Sequence, residues 1–109
     1  MKMKIYVAGP MSGLPELNFP AFHAEAARLR GLGHEVINPA EINGGADEVV
    51  ACASMNTEQY AAHWSKCMRA DIAALIDCDG IALLPGWEKS RGASLEHHIA
   101  QALGMAVLA

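Results

Sequence analysis

The 109-residue chain has no apolar run long enough to be a leader or a membrane span; its opening MKMKIYVAGPM is cut short by Gly9 and Pro10. A cytoplasmic protein is the expectation, with no membrane partner. Basic residues are also few and dispersed: Lys2, Lys4, Arg28, Arg30, Lys66, Arg69, Lys89 and Arg91 make no stripe, and the net charge is -4. Nothing here could neutralise a phosphate backbone, which excludes nucleic acid as a partner. The three cysteines, Cys52, Cys67 and Cys78, are odd in number and lack CxxC spacing, so neither a disulfide framework nor a zinc knuckle is indicated. Buried thiols are expected instead. Also missing are GxGxxG, GxxxxGK[ST], HExxH and GxSxG, which removes the usual signatures of dinucleotide, triphosphate, zinc-protease and serine-hydrolase sites.

What remains is a globular composition, 52% apolar and 18% charged, in a chain long enough for one core. We read it as a single domain over residues 1–109. KIYVA reads as a buried strand ending at Gly9-Pro10, and HEVIN as a second strand. Between them FPAFHAEAARLRGLG has helical spacing, with Asn18 as its expected N-cap, Pro20 in its first turn and Gly33 as its end. This β-α-β order implies a crossover onto a parallel sheet. Residues 39–56, with Gly44-Gly45, read as a loop holding one helical turn. Residues 57–77 read as helix with a break allowed, DGIALLPG as a strand, ASLEHHIAQAL as a helix and GMAVLA as a last strand. The expected fold is a three-layer α/β domain, Rossmann-like or flavodoxin-like, with a parallel sheet of about four to five strands and helices on both faces.

In such sheets ligands bind outside the carboxyl ends of the strands. That rule selects the loops GPMSGLPELN and PGWEKSRG. Turning the last helix by about 100° per residue puts Glu96 between Ile99, Ala100 and Leu103 on the inward stripe. His97 falls to one side and His98 almost opposite. The two histidines therefore cannot join Glu96 in one metal shell. His63 and Cys67 stand at i, i+4, which alone is a weak metal signal. By the same rotation Asp71 shares an inward stripe with Tyr60, Trp64, Cys67, Met68 and Leu75. A buried carboxylate is costly unless compensated, so two of them point to function, against the alternatives of a helix-start carboxylate for Glu96 and an internal ion pair to Arg69 or Arg91 for Asp71. Asp79, before Gly80, reads equally as a turn residue. Tyr6, on a strand flanked by apolar neighbours, needs a hydrogen-bond partner, and a carboxylate is a natural one.

IYVAGPMSG, RADIAALIDCDGIALLPGW and GASLEHHIA, in that order, resemble the nucleoside 2-deoxyribosyltransferase superfamily, which includes the 2'-deoxynucleoside 5'-phosphate N-hydrolases. The likeness is greatest to a short phage and bacterial branch, and it spans nearly the whole chain. It implies cleavage or transfer at the N-glycosidic bond of a small-molecule (deoxy)nucleoside or nucleotide, with no cofactor, in a homodimer or higher homo-oligomer. Glu96, four residues after Gly92, corresponds to the nucleophile, Tyr6 to the residue holding it, and Asp71 and Asp79 to the sugar- and base-contacting aspartates. Gly9, Pro10, Met11, Ser12 and Gly13 of the first loop, with Gly86, Trp87 and Gly92 of the second, would line the substrate. The chemistry agrees with the inward carboxylates: an ionised Glu96 at a helix N-terminus stabilises an oxocarbenium-like state, while a second carboxylate protonates or orients the leaving base. Ala93, where many members carry threonine or serine, keeps a second reading open, a binding or interaction module that retains the pocket. A third, a hydrolase using metal held by His63, Cys67 or His97, requires bound zinc. Trp64 and Trp87 are candidates for either the pocket or a subunit interface.

Overall fold

The computed structural model describes residues 2–42 and 51–108. Four strands, β1 (Lys4–Ala8), β2 (Glu35–Ile37), β3 (Gly80–Leu83) and β4 (Ala106–Leu108), form one parallel sheet in the order β2-β1-β3-β4. Among the described residues the helices between them include α1 (Phe19–Gly31), the short α2 (Pro39–Ile42), α3 (Thr57–Leu75) and α4 (Arg91–Ala102). The three-layer parallel α/β fold follows from the side-chain alternation of the two central strands. Ile5 and Val7 of β1 and Ala82 of β3 pack with Phe22, Ala26 and Leu29 of α1 on one face. Tyr6 and Ala8, with Ile81 and Leu83, pack on the other face with Leu75 of α3 and Ala93 and Ala100 of α4. Both strands are therefore buried on two sides, the usual state of parallel sheets. Each fully buried Leu, Ile or Phe contributes roughly 1.5–3 kcal/mol.

Local signals set most of the helix ends. Gly33, at φ 94°, closes α1 as a left-handed cap, with Gly33 N–H donating to Arg30 O and His34 N–H to Leu29 O. Asn56 and Gln59 form a reciprocal capping box at the head of α3, at 2.8 and 3.0 Å. That helix runs unbroken to Leu75. Ser90 Oγ accepts from Ala93 N–H at 3.2 Å, so α4 begins at Arg91, two residues ahead of the expected start.

Asn18 departs from expectation. It occupies the N-cap position of α1, yet its side chain caps nothing there and instead donates to Pro10 O at 3.0 Å. The reason is the approach of the chain: Glu16, Leu17 and Asn18 all hold left-handed backbone, at φ 52°, 54° and 59°. Each such residue costs roughly 1–2 kcal/mol, and the Asn18 side chain helps hold the turn against the β1 loop. Residues 39–56, expected as a loop with one helical turn, hold more helix than that: α2 covers 39–42, and residues 51–53 are helical again. The Gly44-Gly45 part of that expected loop lies outside the described residues. Among the described residues no helix is long and apolar enough to cross a membrane.

Candidate active site

In the order β2-β1-β3-β4, successive connections diverge between β1 and β3, and a cleft opens beyond the carboxyl ends of those strands. A cavity of about 930 Å³ lies there. It is within the range of small-molecule sites, roughly 300–1,000 Å³. One wall is the β1 loop, including Gly9 to Ser12; the opposite wall is α3, presenting Tyr60, Trp64 and Met68; and the head of α4 closes the third side. Gly9 is there because nothing larger fits: a Cβ would sit 2.7 Å from Leu84 Cβ. At the mouth the Ser12 and Tyr60 hydroxyls hydrogen-bond at 2.7 Å, linking loop to helix. The Arg91 guanidinium lies 4.0 Å from the centre of the Trp64 ring, a cation–π contact that joins α4 to α3 on the cavity wall.

Tyr6, Asp71 and Glu96 come from β1, α3 and α4, and all three line this cavity. Glu96 is 5% exposed, Asp71 6% and Tyr6 0%. The Tyr6 hydroxyl donates a hydrogen bond to Glu96 Oε2. Burial dominates the electrostatics: it pushes the Glu96 carboxyl up to about 8, the Tyr6 hydrogen bond opposing and the charge of Asp71 adding to the rise. Tyr6 is raised as well, first by burial and then by the charges of Glu96 and Asp71. This overturns the expectation that the helix N-terminus keeps Glu96 ionised. With α4 starting at Arg91, Glu96 lies in the second turn, where the helix dipole has faded, and desolvation wins. Two carboxyl groups and a phenol meeting at one end of a desolvated cavity can share and pass a proton, and can stabilise positive charge developing beside them.

A family model, the domain of unknown function DUF4406, matches residues 3–109. The chain belongs to the DUF4406 family. No curated protein matches it.

Of the other residues singled out in the sequence, Gly9, Pro10, Met11, Ser12, Gly86 and Gly92 line the cavity of this DUF4406 domain. Asp79 does not. It is exposed at the amino ends of the strands, where its Oδ2 accepts from Lys4 N–H at 2.9 Å and its own N–H donates to Lys4 O at 2.7 Å. It fastens the start of β1 to the start of β3, away from the strand ends where the cavity lies, and the turn reading was the right one. Trp87 also falls outside the lining: its ring packs against His97 at 4.3 Å and braces α4. Gly13 lies in the exposed turn between Ser12 and Leu14 and contributes no wall. His98 is exposed. Among the described residues no three His, Cys, Asp or Glu side chains converge as a metal set. Ser90 and Arg91 also stand on the wall; they belong to the PGWEKSRG loop that the strand-end rule selects, though neither is among the site residues named from the sequence, and Ser90, three residues before Ala93, is the N-cap signal that places them at the head of α4.

Proposed function

We propose that the cavity cleaves or transfers at the N-glycosidic bond of a (deoxy)nucleoside or nucleoside monophosphate, with Glu96 beneath the anomeric carbon. The observation that carries this reading is the buried Tyr6–Glu96 hydrogen bond within electrostatic reach of Asp71 at a cavity wall. As the C1'–N bond breaks, its electron pair leaves with the base. In the fraction of molecules whose Glu96 is ionised, a minority at pH 7 that grows toward pH 8, the carboxylate then stabilises the oxocarbenium-like sugar or bonds to C1'. Water or an acceptor base afterwards releases the sugar. Tyr6 holds the carboxylate in place, and Asp71 protonates or orients the departing base.

The test is incubation with a panel of deoxynucleosides and their monophosphates, with free base measured by chromatography. Base release by the wild type, abolished in Glu96→Ala, is expected. No release from any member of the panel, or undiminished release by the variant, sinks the reading.

One observation favours a second reading, a pocket that binds without turnover. With Glu96 pushed up to about 8, its carboxyl is mostly neutral at pH 7 and can serve as a hydrogen-bond donor to a ligand. Thermal stabilisation by a nucleotide without base release would favour binding alone.

A further inference from the structure

The i, i+4 pair His63 and Cys67 has no part in the chemistry above, yet both side chains line the same cavity as Glu96. Cys67 Sγ lies 3.4 Å from His63 Nε2, and both residues are half-buried. They sit on the face of α3 that also presents Asp71. Cys67 is one turn before Asp71, about 6 Å along the helix axis. We propose that Cys67, with His63 as its proton acceptor, is a thiol modification site that takes a small-molecule disulfide and carries it as a mixed disulfide inside the cavity.

Three observations support this. The thiolate is the form that attacks a disulfide, and an imidazole nitrogen in contact with the thiol gives its proton somewhere to go. The cavity, at about 930 Å³, admits a peptide-sized thiol. Position supplies the consequence: a group attached at Cys67 stands one helical turn from Asp71, in the space a substrate would need. The step balances without a further reactant. The thiol proton passes to His63 Nε2, the Cys67 sulfur bonds to one sulfur of the disulfide, and the other sulfur leaves as a thiolate with the electron pair of the broken S–S bond. Excess thiol reverses it.

Two internal comparators make the proposal testable. Cys52 lines the same cavity. Cys78 is buried just before β3 and does not line the cavity, its Sγ donating to Ala74 O at 3.4 Å and its thiol pushed up to about 11, chiefly by burial. The reduced protein is incubated with oxidised glutathione and the adducts are mapped by peptide mass spectrometry over time. Cys67 should acquire the adduct first and Cys78 last. His63→Asn should slow the Cys67 reaction by about tenfold while Cys78 stays unmodified. If His63→Asn disturbs folding, Cys78 becomes reactive, and the comparison is then made with His63→Gln. First modification at Cys52 or Cys78, or an unchanged Cys67 rate in a folded His63 variant, overturns the proposal. The adduct map does not depend on base release, so it stands or falls separately from the glycosidase reading.

Discussion

Replacing Glu96 by glutamine should make the protein more stable, and increasingly so as the pH rises. The folded carboxyl titrates near 8 against a reference of 4.5, with burial as the main cause. Between those values the folded state holds a proton that the unfolded chain has released. Stability contributed by this group is therefore complete below pH 4.5 and is lost as the pH climbs to 8, at roughly 1.4 kcal/mol per pH unit. Integrating the two titrations, ionisable Glu96 costs about 1 kcal/mol at pH 5, about 3 at pH 7 and about 4 at pH 8. Glutamine has the same shape, keeps an oxygen to accept from Tyr6 and cannot ionise. At pH 7 the melting temperature should rise by roughly 10 °C, at roughly 4 °C per kcal/mol for a domain of this size. Thermal unfolding followed by circular dichroism at pH 5, 6, 7 and 8, for wild type and Glu96→Gln, measures this directly. A variant less stable than wild type at pH 8, or a gap that does not widen with pH, would refute the reasoning.

Tyr6→Phe removes the donor that opposes the rise in Glu96, so the carboxyl should titrate above 8. Stability should fall by about 1–3 kcal/mol for the buried polar group left behind, read by denaturant unfolding, and the pH profile of any base release should move to the alkaline side. If Glu96 acts in its ionised form, base release by the wild type should increase with pH and level off above about 8; a rate that instead declines over that range assigns Glu96 the role of proton donor. Gly9→Ala places a Cβ 2.7 Å from Leu84 Cβ and should cost about 1–3 kcal/mol, measured as a lower urea midpoint. Asn56→Ala opens the capping box of α3 and should cost about 1 kcal/mol while leaving ligand response unchanged, checked by thermal shift with and without nucleotide.

The sheet and the inward carboxylates were legible because each rests on a strong periodic signal. KIYVA and GIALL carry continuous apolar character, and rotation about the helix axis singled out Asp71 and Glu96, both of which prove buried. Their protonation was not legible. Whether Glu96 is charged depends on where α4 starts and on how much of the protein closes over it, and only the second of these dominates at 5% exposure. Asp79 illustrates a different limit. Asp before Gly fits both a strand-start turn and a site residue, and three-dimensional placement at the amino end of the sheet decides between them. Asn18 carries a capping signal that the left-handed turn over Glu16–Asn18 overrides, and PELN contains no glycine to announce such a turn. Trp64 and Trp87 look alike in sequence, yet the first lines the cavity and the second braces α4 from behind.

The two-sided alternation of β1 ties chemistry to parity. Odd positions Ile5 and Val7 belong to one core, and even positions Tyr6 and Ala8 to the other. A slip of β1 by a single residue would carry the phenol to the face of α1, with the whole sheet between it and Glu96, and would put an aliphatic side chain against the carboxyl in its place. A misregistered chain could still look folded and would have no proton donor for Glu96, so for this domain strand register and site assembly are one event.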